Sequence, residues 1–136
     1  MQKELCLFCY LCYNLSMKKY LKYEKWIRQM FDKYKMILFI EKHHLKMEKK
    51  DDGYLASEFN YPYLDVNIHY SEDSFKDWLK NKKDAERRML HEFCHTITDP
   101  FYSVILDFPS KKAIENERER LTDHIAQIVN KHFNLI

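Results

Sequence analysis

The apolar positions of this chain change their period twice. From Ser16 into the thirties, Tyr20, Tyr23, Trp26, Ile27, Met30, Phe31 and Tyr34 recur every three or four residues, with Lys and Glu in most of the gaps. That spacing lays one apolar stripe along a helix. The helix is expected to run from about 17 towards Glu41, with Ser16 as its N-cap and the aromatic stripe in the core. From His43 to Tyr70 the period falls to two. Leu45 and Met47 alternate with charged residues, Tyr54 to Phe59 reads as a return strand, and Leu64, Val66, Ile68 and Tyr70 alternate strictly. Asp51-Asp52-Gly53 carries a hairpin signal in which the glycine supplies a positive φ. Asn60-Tyr61-Pro62 reads as a turn. The expected result is a small antiparallel sheet of about three strands.

After Ser71-Glu72-Asp73 the helical period returns. A short helix is expected near 74–80 with Phe75, Trp78 and Leu79 inward, then a loop from Asn81 to Asp84. The next helix starts near Asp84 with Met89, Leu90, Phe93 and Cys94 inward, and Pro100 is expected to end it by Asp99. A loop over 100–110 leads to a final helix at about 111–133, with Ile114, Leu121, Ile125, Ile128 and Val129 on one face. The fold class is α+β.

Composition narrows the function more than the fold. The length of 136 residues suits one domain. Residues 1–16 read as an N-terminal extension, with Met17 as an alternative start, and 17–136 as the domain proper. A hydrophobic content of 46% excludes a disordered chain. The 23 basic and 21 acidic residues nearly balance, so the chain carries no nucleic-acid or membrane signal. The apolar run from Leu5 to Leu15 is shorter than the ~18–20 residues that span a bilayer. It also lacks the small-residue cleavage site of a signal peptide. The single glycine, Gly53, excludes the glycine-rich loops that cradle phosphates. Cys6, Cys9 and Cys12 crowd together and Cys94 stands alone. This is no disulfide framework, and reduced thiols in a cytoplasmic protein are expected. The Cys-x-x-Cys-x-x-Cys run has no second pair at finger spacing, so a loosely docked tail is the reading preferred over a metal site.

The chemistry concentrates in His91-Glu92-Phe93-Cys94-His95 and in Glu119-Arg120-Leu121-Thr122-Asp123. On a helix, His91 and His95 share a face and can hold one metal ion, with Glu92 beside it. A third ligand must come from elsewhere. Glu119 is preferred over Glu115 and Glu117, because only Glu119 has an aspartate four residues on. Cys94, between the histidines, reads as a small buried hydrophobe rather than a ligand or nucleophile. His43 and His44 read as strand or surface residues.

His91-Glu92-x-x-His95 followed by Glu119-x-x-x-Asp123 resembles the gluzincin branch of the zincin metallopeptidases, with Thr122 where alanine often precedes the aspartate. The helix and short sheet upstream resemble small single-domain zincins of bacteria and phages. Phe101 stands where a metzincin carries its third histidine, and Thr98 where it carries glycine, so that branch is excluded. The resemblance implies one zinc ion per chain, held by His91, His95 and Glu119, with Glu92 as general base and Asp123 supporting a ligand histidine. It implies a peptide or protein substrate, with strand 64–70 as the edge that pairs with it. Tyr102, His124 and His132 are candidate oxyanion donors. The alternative expectation is a zinc-binding interaction module without catalysis. Oligomeric state is not legible in the sequence.

Overall fold

The first helix, α1, spans Gln2–Tyr34 without interruption in a computed structural model that describes residues 2–60, 64–105 and 111–133. No glycine or proline separates residues 1–16 from the amphipathic segment, so nothing stops the helix there. Ser16 is therefore not an N-cap. It lies inside the helix, and its hydroxyl donates to the Tyr13 carbonyl at 2.8 Å. The aromatic stripe is buried: Tyr23, Ile27, Phe31 and Tyr34 are at most 5% exposed. The helix ends at Tyr34, short of Glu41, where the chain turns through Phe39 at φ 57°.

Strands β1 (His44–Lys49), β2 (Leu55–Asn60) and β3 (Asp65–Tyr70) form one sheet in the order β1-β3-β2. β1 pairs with β3 in parallel and β2 pairs with β3 antiparallel. The sheet is therefore mixed, and the expected all-antiparallel arrangement is corrected. Asp51-Asp52-Gly53 does not close a hairpin, and no glycine has positive φ among the described residues. The segment instead crosses the end of β3. Lys50 N–H donates to the Tyr70 carbonyl at 2.8 Å, and Ser71 N–H donates to the Tyr54 carbonyl at 3.2 Å. β3 takes the centre because its alternating side chains offer the most continuous apolar face: Val66, Ile68 and Tyr70 are at most 2% exposed. A central strand cannot accept an incoming peptide, so β2 and β1 are the edges and 64–70 is not.

Helix α2 (Glu72–Lys80) starts at a capping box in which Ser71 and Ser74 satisfy each other's backbone. Its inward face is Ser74, Phe75 and Trp78; Leu79 points outward at 58% exposure, contrary to expectation. Only Asn81 separates it from α3 (Lys82–Ile105). α3 passes through Pro100 rather than ending at Asp99. An interior proline removes one backbone hydrogen bond and costs about 3 kcal/mol in an isolated helix. Here α3 is packed along α4 (Lys111–Phe133), which supplies the compensating contacts. α4 buries Thr122, Ala126, Val129 and Asn130, while Leu121 and Ile128 are 49% and 59% exposed. The inward face is thus built on small residues rather than on the largest apolar ones, and the two helices approach closely. Among the described residues no helix is long and apolar enough to cross a membrane.

Candidate metal centre

The register of α3 decides the site. Met89, Leu90, Phe93 and Cys94 are fully buried, and the Phe93 ring meets Phe31 edge-on at 5.6 Å. With that face locked to the core, His91, Glu92 and His95 share the flank beside α4 and β2. They offer donor atoms that lie within 4.8 Å of one another, a group that could hold a metal ion. The two imidazoles meet edge-on, with Nε2 atoms 3.2 Å apart.

Each imidazole is oriented from behind. His91 Nδ1 lies 2.7 Å from Asp123 Oδ1 on α4, and His95 Nδ1 lies 3.1 Å from Asp99 Oδ1 one turn along α3. An ionised carboxylate only accepts, so each Nδ1 is the donor. A neutral ring that donates from Nδ1 offers a lone pair at Nε2, and the two Nε2 atoms face each other. Glu119 converges on them too, with Oε2 3.4 Å from His91 Nε2 and Oε1 3.7 Å from His95 Nε2. Arg118 donates to Glu119 Oε1 at 3.1 Å and approaches Asp99 at 3.9 Å.

Glu92 belongs to the same helix but faces the sheet. The Ser57 hydroxyl on β2 donates to its Oε2 at 3.0 Å. Burial pushes the Glu92 carboxyl above the usual range, against the opposing pull of His95, His91 and Ser57. Burial pulls His95 down, but the bond to Asp99 and the charges of Glu92, Asp99 and Glu119 together leave it raised.

The other sequence candidates lie elsewhere. Glu115 and Glu117 are exposed, and Glu117 faces Arg120 at 2.8 Å. His124 and His132 are exposed on α4, and neither lines the two clefts beside the histidines. The Tyr102 and Cys6 side chains lie outside the described residues. Cys94 is buried in the core, which pushes its thiol up to about 12. Cys9 and Cys12 are exposed on α1. The His43 ring packs beside Phe59 at 5.3 Å, and His44 is exposed on β1.

Three site residues were missed in the sequence. Asp99 had a signal, since it stands four residues after His95 on one helix face. Ser57 and Arg118 had none, because their positions come from the approach of β2 and from the rotation of α4. Comparison with family models, with curated proteins and with solved structures finds no match to this chain.

Proposed function

We propose that this chain is a zinc-dependent peptidase of the gluzincin type, with zinc held by His91, His95 and Glu119 and with Glu92 as general base. One observation carries the reading. The two imidazole Nε2 atoms and the Glu119 carboxylate lie within 3.7 Å of one another, while Asp123 and Asp99 occupy the opposite ring nitrogens. With both rings neutral and their Nδ1 atoms donating, the Nε2 lone pairs would face each other at 3.2 Å, and a bound cation would relieve that repulsion. Two ligands on a tetrahedral zinc sit about 3.3 Å apart, which fits this spacing. A nitrogen, nitrogen and oxygen donor set leaves a fourth position open, as hydrolysis requires.

When bound, zinc would polarise water and the scissile carbonyl. Glu92 accepts a proton from the attacking water and returns it to the departing amine nitrogen. Burial raises its pKa, which suits a group that must both take and release that proton. Ser57 holds the carboxylate towards the site from the edge strand. β2, in place of the central β3, is the strand against which an extended peptide would add by backbone hydrogen bonds. Arg118 steadies Glu119, and the aspartates keep both imidazoles in one tautomer.

The test is zinc per chain by elemental mass spectrometry on protein purified without chelator, joined to digestion of a mixed peptide pool. About one zinc per chain is expected, with hydrolysis lost and zinc kept in Glu92→Ala. Hydrolysis that survives in Glu92→Ala would sink the mechanism. Zinc without hydrolysis in the unaltered chain would leave a zinc-binding module, and no zinc, even when added, would remove both.

A further inference from the structure

Two clefts flank the histidine pair. The one away from Arg118 has a volume of about 330 Å³ and is walled by His91, Glu92, Arg87, Arg88, Tyr54 and Asn130, among others. Two of its hydrogen-bonding groups are unspent. Asn130 is 8% exposed, yet its buried Oδ1 has no partner. The Nε of Arg87 is likewise buried and unpartnered. Leaving a buried polar group unsatisfied is costly, and a native protein rarely does so without a reason.

The arginines share one carboxylate. Arg88 Nε donates to Asp84 at 3.0 Å, and the nearest Arg87 nitrogen stands 3.7 Å from the same aspartate, beyond hydrogen-bond reach. Asp84 therefore occupies a single donor of the two forks. Arg88 is also stacked over the Tyr54 ring at 5.1 Å, which holds its guanidinium in place. The carboxylates in the same wall are engaged, Glu92 by Ser57 and Asp123 by His91. What the cleft lacks, among the described residues, is an acceptor for the Arg87 Nε and a donor for the Asn130 Oδ1.

We propose that this cleft selects peptides with a carboxylate on the residue beside the scissile bond, either an Asp or Glu side chain or the free C-terminus. Arg87 and Arg88 grip the carboxylate, and Asn130 Oδ1 accepts an N–H from the same residue. The proposal rests on the peptidase reading for its substrate; the carboxylate site itself does not. Planar guanidinium forks match carboxylates in geometry as well as charge. The adjacency of the cleft to Glu92 places the recognised residue next to the bond that is cut.

The first experiment needs no catalysis. The full chain is titrated with N-acetylglutamate α-amide, with N-acetylalanine and with N-acetylglutamine α-amide, while the Asn130 side-chain amide and Arg87 Nε–H are followed by NMR. At least one carboxylate probe is expected to shift both signals, the neutral amide to shift neither, and Arg87→Gln and Arg88→Gln each to weaken binding about tenfold. The glutamate and alanine probes separate a side-chain carboxylate from a C-terminal one. Absence of a shift with both carboxylate probes overturns the proposal. The second experiment maps cleavage sites in a mixed peptide pool. An acidic or C-terminal preference that is lost in the Arg87→Gln, Arg88→Gln double variant is expected. Cleavage without that preference overturns the proposal and leaves the peptidase reading intact. Carboxylate binding without any cleavage does the reverse: the pocket stands and the peptidase reading falls.

Discussion

Thr98 on α3 and Thr122 on α4 meet through their hydroxyls at 2.8 Å, with both residues buried. Thr122 also donates to the Arg118 carbonyl at 2.8 Å, so the contact is anchored to the turn that carries Glu119. This pair fixes the height and rotation of α4 against the histidines. Replacing Thr122 by Leu forces the helices apart and leaves Thr98 without its partner. A loss of about 1–3 kcal/mol of stability is expected from overpacking, together with weaker zinc retention. Chemical denaturation and a chelator titration measure the two effects, and a variant with unchanged zinc affinity would detach α4 rotation from the site.

The aspartates behind the imidazoles should matter through the metal. Asp123→Asn and Asp99→Asn keep the shape but remove the charge that holds each Nδ1–H. Zinc affinity is expected to fall about 10–100-fold in each, read by competition with a chromophoric chelator. An Asp99→Asn protein that binds zinc as tightly as the unaltered chain would reduce that contact to a surface ion pair.

Ser57 links the edge strand to Glu92, and its hydrogen bond lowers the pKa of that carboxyl. In Ser57→Ala the Glu92 carboxyl rises further. The acid limb of the pH–rate profile should then move to higher pH, with kcat/KM down about two- to tenfold and zinc content unchanged. A profile that does not move would show that Glu92 is not the titrating base.

The thiols divide by burial. The Cys94 thiol is pushed up to about 12, so it stays protonated in the fold at pH 9 while an unfolded chain would begin to ionise. Its contribution to stability is complete below the unfolded value and is lost as pH rises towards the folded one. Iodoacetamide at pH 8 is expected to label Cys9 and Cys12 and to spare Cys94 until denaturant is added. Mass mapping of the labelled peptides decides this, and early Cys94 labelling would contradict its place in the core.

Local period and local chemistry were readable from the residues alone. The stripe from Tyr20 to Tyr34 and the alternation of Val66, Ile68 and Tyr70 specify their elements because each repeats one geometry over several turns or pleats. The i, i+4 spacing of His91 and His95 likewise puts both rings on one face wherever α3 packs. Strand order could not be read this way. The turn at 51–53 looks like a hairpin to its neighbours, but pairing is decided by which strand offers the best face at long range, and β3 won the centre. The course of α3 through Pro100 and the inward turn of Thr122 and Ala126 in place of Leu121 and Ile128 have the same origin. Each is a local preference outweighed by packing between two helices. Glu119 and Asp123 reach the histidines, Ser57 reaches Glu92 and Arg118 reaches Glu119, only because those long-range contacts set where α4 and β2 lie. The sequence by itself determined the paired histidines and the carboxylates available to them; the tertiary structure alone decided which of those carboxylates arrive.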